Sequence, residues 1–289
     1  MNNKINPTVA FFGSSQISVW VLEELEKEGI LPSLVITNPD TRQGRKMILT
    51  ETPVAQWAQQ KSIATFKPAS LRNEEIVATL KASGCDLFIV AAYGKMIPEE
   101  ILNIPRFKTL NMHPSLLPKL RGASPIRSAI LEDVHPTGVS IMILTKGLDE
   151  GPILAQEETQ IEDSEWPIKG TVLDEILAHQ GGKLLAKTIH TWVSGNMQPQ
   201  EQNHEEATYS QKITKEMGEI DFSNDPYKNL LRIRAFDGWP GAFFFVERKG
   251  ALVRIKILDA LIQDGVLVPT KIIPEGKKEM LYEDFLRSQ

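Results

Sequence analysis

Apolar and polar residues alternate in two rhythms along the first two-thirds of the chain. Short apolar runs, "TVAFFGS" at 8–14, "PSLVIT" at 32–37 and "CDLFIVAAYG" at 85–94, have the near-continuous hydrophobicity of strands buried on both faces. Between them lie stretches with helical spacing. In "QISVWVLEELEKEG" Val19, Leu22 and Leu25 fall on one side, and Gly29 stops the run. "TPVAQWAQQ", with Pro53 in its first turn, and "NEEIVATLKASG" repeat the pattern. "KTLNMHP", "TGVSIMIL" and "PILAQEET" read as strands, and "SPIRSAILED" as a short helix. "VLDEILAHQGGKLLAKTIHTWVSG" reads as a long helix interrupted at Gly181-Gly182. Repeated units of this kind predict an α/β domain over residues 1–195, with an open, mostly parallel sheet wound by helices on both faces.

The periodicity lapses over 196–208, where Gln, Asn, Pro and Glu dominate and a linker is expected. Residues 209–289 predict a small β-rich domain. "DPYKNLLRIRAF" is its helix, "GAFFFVERKGALVRIKILDALI" a hairpin turning at Gly250, and "GVLVPTKIIP" a further short strand. For a complete barrel this stretch is short, with strands expected to be lacking around 262–270 beyond that one short run, so the domain reads as a truncated barrel.

Composition narrows the class. With 289 residues, 42% hydrophobic and 24% charged, the chain can bury a sizeable core. No apolar run approaches the roughly 18 residues of a membrane span, and "MNNKINPTVAFFG" lacks the pattern of a signal peptide. Cys85 is the only cysteine, which excludes an internal disulfide or a multi-cysteine metal site. The expectation is a cytoplasmic monomer that needs no metal and no membrane. The net charge of −5 argues mildly against nucleic acid, but it is uneven. From residue 206 onward there are 13 Lys+Arg and 13 Asp+Glu, against 19 and 24 before it, which leaves room for a basic face on the second half.

Candidate chemistry gathers at strand ends. Only Gly13 remains of a dinucleotide fingerprint, and no phosphate-binding glycine loop follows any strand. In "TLNMHP" the period of two puts Asn111 and His113 on one side and Met112 on the other. They end a strand where open α/β sheets bind ligands, and Pro114 and Pro118 stiffen the loop beyond it. Asp149 stands between Gly147 and Gly151 on the loop after the strand that should neighbour His113. An amide can donate to an oxyanion, an imidazole can donate or accept, and a carboxylate can orient it or relay a proton. Spacing alone leaves a buried structural pair and an ordinary turn aspartate equally open. Ser115 has no dedicated base, which favours direct attack by a substrate group.

The run "NMHPSLLPKLRGASPIRSAILEDVHPTGVSIMILTKGLDEGPIL" resembles the signature of the 10-formyltetrahydrofolate-dependent formyltransferases over more than 40 residues without a gap. "AAYGKMIP" resembles that family's folate-pocket loop. The resemblance implies a Rossmann-like catalytic domain with Asn111, His113 and Asp149 as catalytic residues. It implies folate contacts at Ser115, Leu116, Leu117, Pro118, Tyr93, Gly94, Met96 and Ile97, with 10-formyltetrahydrofolate as co-substrate and no metal. "ATYSQKITKEMGEIDF" and "IRAFDGWPGAFF" resemble the second, OB-like domain of the branch that formylates initiator methionyl-tRNA. "TNPDTRQGRKMILTETPV" stands where that branch carries a tRNA-binding loop, here with Arg42, Arg45 and Lys46. A branch acting on amino-sugar nucleotides shares the site and stays open as the alternative.

Overall fold

The computed structural model of the chain describes residues 7–44, 47–248 and 250–287. They group into two compact units. The first comprises the chain to Gly122, then Gly138–Thr159 and Glu175–Tyr209; the second comprises Ala123–Thr137, Gln160–Asp174 and Ser210 onward.

The first unit begins with β1 (Val9–Phe12), α1 (Gln16–Lys27), β2 (Leu34–Ile36), β3 (Thr41–Gln43), β4 (Ile48–Thr50), α2 (Pro53–Gln60) and β5 (Ala64–Phe66). It continues through α3 (Glu74–Ala82), β6 (Leu87–Val90), the one-turn α4 (Glu99–Leu102), β7 (Thr109–His113) and the short β8 (Arg121–Gly122). The chain then enters the second unit as α5 (Pro125–Leu131) and returns as β9 (Gly138–Ile143), β10 (Ile153–Glu158), most of α6 (Gly170–Val193) and the start of β11 (Tyr209–Ser210). Seven strands form one sheet in the order β10-β9-β7-β6-β1-β2-β5. The five from β7 to β5 are parallel, as the apolar runs predict. β9 is the exception. It runs antiparallel to both β7 and β10, with His113 opposite Ser140 and Asn111 opposite Met142. A parallel return needs a long crossover, usually a helix packed on the sheet; α5 packs on α7 (Pro226–Ala235) instead.

The middle strands are buried on both sides. On one face Phe12, Ile36, Phe88, Leu80 and Tyr93 form a cluster, each large apolar side chain contributing about 1.5–3 kcal/mol by leaving water. On the other face Met112 meets α6. This helix is continuous over 24 residues, so Gly181-Gly182 does not interrupt it. A Cβ on Gly181 would lie 2.7 Å from the sulfur of Met112. The glycine is there for close approach of helix and strand. At the other end of the sheet, Lys67 bonds Asp40 and Glu51, both at 2.7 Å, and so clips the two feet of the β3–β4 hairpin. The sequence predicts a basic loop between a strand and a helix there; the stretch pairs as a hairpin, with Met47, Ile48 and Leu49 more than half exposed.

The second unit holds α7, β12 (Ala242–Arg248), β13 (Ala251–Gln263), β14 (Val266–Pro274), β15 (Met280–Leu281) and α8 (Tyr282–Arg287). The strands make one antiparallel sheet in the order β12-β13-β14-β15. The expected gap around 262–270 does not exist. β13 runs on to Gln263, turns at Asp264-Gly265, both with positive φ, and returns as β14. Asp-Gly suits a two-residue hairpin because both of its central residues need positive φ. Among the described residues β12 and β15 do not pair, so the sheet stays open. Phe244 faces the core, whereas Phe245 is 45% exposed and Phe243 carries the Arg254 guanidinium 3.7 Å from its ring centre.

Candidate active site

β7 delivers Asn111 and His113 to one face of the sheet at its C-terminal end, both nearly buried. His113 Nε2 lies 3.0 Å from the carbonyl oxygen of Leu120. A carbonyl only accepts, so Nε2 carries a proton and donates. Nδ1 is the nitrogen left facing Asp149, with Oδ2 at 3.7 Å. The same Oδ2 accepts from the backbone N–H of Gly122 at 2.8 Å. Three residues distant in sequence therefore meet at one point. The carboxamide of Asn111 makes no hydrogen bond to any described residue, although the residue is only 8% exposed. Buried amides are normally paired. One held in a polar corner without a partner is available to a ligand.

The route by which Asp149 arrives is not the one the sequence predicts. Because β9 runs antiparallel, the loop after it starts beside Thr109, where Leu144 N–H donates to the Thr109 carbonyl at 2.8 Å. That is the opposite end of β7 from His113, roughly 13 Å away at strand spacing. The loop folds back along the sheet to bring the carboxylate home. Two features allow this. Gly151 passes so close to Ile143 that a Cβ would sit 2.0 Å from its carbonyl oxygen. Asp149 itself takes a left-handed conformation with φ of 48°, which aspartate tolerates better than most residues. Strained backbone of this kind persists where its surroundings over-determine it.

Comparison with known proteins gives this geometry a context. Residues 7–188 match a sequence profile described as formyl transferase, and residues 212–265 one described as formyl transferase, C-terminal domain. The chain belongs to the formyl transferase family. A methionyl-tRNA formyltransferase from Sulfurihydrogenibium sp. is 39% identical over 94% of this chain and 86% of its own length. A protein of the same name from Bacillus cereus is 34% identical over 96% of this chain and 95% of its own. Among solved structures, a sugar N-formyltransferase from a Shewanella species superposes with a TM-score of 0.64 at 18% identity, covering 90% of this chain and all of that one. HypX from Aquifex aeolicus, solved in complex with tetrahydrofolic acid, gives 0.66 at 16% identity, covering 98% of this chain and 47% of that one. At these identities the two structures speak for the fold.

The other residues expected to serve a formyl transferase are placed unequally. Ser115 is buried and gives its hydroxyl proton to the Lys119 carbonyl at 2.6 Å, so it is no nucleophile. Ser140 ties the turn from below. It donates to the Ser115 carbonyl, accepts from Leu117 N–H, and takes a third bond from Gln156. Leu117 is buried, and Leu116 and Pro118 are partly exposed. In the 91–98 loop Met96 is 67% exposed and Gly94 turns the chain with φ of 77°. Ile97 packs on the apolar cluster, and Tyr93 lies within it. The Tyr93 hydroxyl is buried without a partner, and burial pushes its pKa up to about 12. Arg42 sits on β3 and donates to the Met47 carbonyl at 3.4 Å. Arg45 and Lys46 lie outside the described residues. Among the described residues no group of three His, Cys, Asp or Glu side chains is placed to hold a metal ion. Among them, too, no helix is long and apolar enough to cross a membrane.

Sequence reasoning missed the residues that hold the centre together. Gln202, His204 and Thr208 fall in the stretch read as a linker, yet Gln202 is buried and bonded to the Asp149 loop. A lone Gln among polar neighbours gives no periodic signal.

Proposed function

We propose that this chain transfers the formyl group of 10-formyltetrahydrofolate to the α-amino group of methionyl-initiator tRNA, in the cytoplasm. The observation that carries the reading is the Asn111 carboxamide, without a partner among the described residues, two places along β7 from the His113 that faces Asp149, in a chain up to 39% identical over nearly its whole length to proteins named methionyl-tRNA formyltransferase. The neutral amine attacks the formyl carbon, and the carbonyl electron pair moves onto oxygen. Asn111 donates to that oxyanion, a contribution of about 10²–10³ in rate for one such donor. His113 donates through Nδ1 when that nitrogen is protonated, with the Asp149 carboxylate as its countercharge. As the intermediate collapses, the bond to folate N10 breaks. Asp149 passes the proton lost by the amine towards N10, so the products leave neutral.

On this reading the family's folate contacts fall to the 93–97 loop and the Ser115–Pro118 turn, and Arg42, Arg45 and Lys46 meet tRNA phosphates. The test is transfer of labelled formyl from 10-formyltetrahydrofolate to methionyl-initiator tRNA, set beside amino-sugar nucleotides as acceptors. Label on the charged tRNA supports the proposal. Label on an amino sugar alone replaces it with the sugar-nucleotide reading.

A further inference from the structure

Arg121 is the largest fully buried side chain among the described residues, at 1% exposure, and the chemistry above makes no use of it. Its Nε and Nη2 donate to the Gln202 side-chain oxygen at 3.1 and 2.7 Å. Nη2 also donates to His204 Nδ1 at 3.2 Å. Gln202, 5% exposed, turns its amide nitrogen the other way, giving one proton to the Asp149 carbonyl at 2.9 Å and one to the Gly151 carbonyl at 2.7 Å. Both lone pairs and both N–H groups of this amide are used, which is the whole capacity of a carboxamide. Only one orientation allows it. Rotated by half a turn, the amide would set its NH₂ against a guanidinium that only donates and its oxygen against two carbonyls that only accept. The buried charge of Arg121 therefore fixes which way Gln202 points.

The neighbours of Arg121 complete the arrangement. The Leu120 carbonyl accepts from His113, and Gly122 N–H donates to the Asp149 carboxylate. Thr208 grips the same tripeptide, accepting from Leu120 N–H at 2.8 Å through its hydroxyl and from Arg121 N–H at 2.9 Å through its carbonyl. The Asp149 backbone is held in a conformation that needs support, and Gln202 binds the carbonyls of Asp149 itself and of the residue two beyond. We infer that Gln202 is a positioning residue for Asp149, and that Arg121 is the buried cation that locks Gln202 for this task. The inference rests on the reading of Asp149 as part of the reaction centre.

The test is a double-mutant cycle on the full chain, reading the single-turnover rate of formyl transfer to saturating methionyl-tRNA. Gln202→Met keeps the length and removes all four hydrogen bonds. Gln202→Glu keeps an acceptor for Arg121, so the buried charge stays paired, but it opposes the two loop carbonyls with an acceptor. Each is made alone and together with Asp149→Asn, with thermal melting to confirm folding. Supporting groups of this kind typically carry about 10–100-fold in activity. Both Gln202 variants should lose that much in the parent while KM for tRNA holds. In the Asp149→Asn background, where nothing remains to position, they should lose less than about threefold. Two results overturn the inference. One is a wild-type rate for Gln202→Glu while Asp149→Asn is slow; the other is an equal loss in both backgrounds, which marks a merely structural role. A wild-type rate for Asp149→Asn itself overturns the reading of the centre on which the inference stands.

Discussion

At the scale of single residues, the centre divides its labour by what each side chain still has free. Ser115 has no proton free, because its hydroxyl donates to the Lys119 carbonyl, and only its lone pairs can still accept. Asn111 has its whole amide free of bonds to the described residues. Asn111→Ala should therefore lower kcat by about 10²–10³-fold with little change in KM for tRNA, as expected for a donor that acts on the oxyanion. Steady-state kinetics with labelled formyl donor checks this, and a rise in KM alone would move Asn111 to substrate binding. Asp149→Asn keeps an acceptor for Gly122 N–H and loses the charge. Its turnover should fall by orders of magnitude, because a carboxamide cannot carry the amine's proton towards N10. Turnover equal to the parent's would leave Asp149 as a turn residue.

At the scale of elements, α1 and α6 are joined by a buried polar contact. Glu24 is 4% exposed and accepts from His179 Nδ1 at 2.8 Å and from Lys27 at 2.7 Å. Burial pushes its pKa up, but those two bonds and the charges of Lys27 and Lys183 outweigh it and leave the carboxyl below its ordinary 4.5. A carboxylate whose pKa is depressed by folding adds stability above the unfolded value and loses it as pH falls through the lower folded one. Glu24→Gln should thus cost about 1.5–3 kcal/mol at pH 7. The gap to the parent should close as pH drops below 4.5, which urea titrations at the two pH values would show. How legible the elements are depends on what their residues signal. The buried parallel strands announce themselves by unbroken apolar runs. Gly181 misleads because a glycine in a helix reads as a break, whereas its use, closeness to Met112, requires a partner from another part of the chain. The Asp264-Gly265 turn carries a local signal, but Ile262 and Val266 beside it are exposed, which blurs the strand alternation and hides the hairpin. The direction of β9 is hidden, since a strand's polarity in the sheet is set by its connection and not by its own composition.

At the scale of the whole molecule, attraction to RNA cannot come from net charge, which is −5. It has to come from local groups, and Arg42, on the hairpin clipped by Lys67, is followed in sequence by Arg45 and Lys46. Replacing all three with alanine should raise KM for methionyl-tRNA and leave the folate KM nearly unchanged. It should also flatten the dependence of log K on log salt by roughly 0.7–0.9 for each phosphate no longer neutralised. Binding measured between low and moderate salt decides the matter, and an unaltered slope would shift recognition to other surfaces. The Asn111–His113 pair is legible because β-strand period is local. The approach of Asp149 to it is legible only through family resemblance, for its loop leaves the sheet at the far end of β7.

The tripeptide Leu120–Arg121–Gly122 has a consequence for how such a site is dissected. Two of the groups that steady His113 and Asp149 are a peptide oxygen and a peptide nitrogen, and these survive every ordinary side-chain replacement. An alanine scan across 120–122 would pass over both of them. Gly122, with φ of 110°, is a position where any other residue would add backbone strain to the readout. The clean probe is semisynthesis, with an ester oxygen in place of the Gly122 nitrogen. That exchange deletes one donor and no side chain. The ester protein should transfer formyl groups more slowly while melting close to the parent, revealing a dependence written in the main chain.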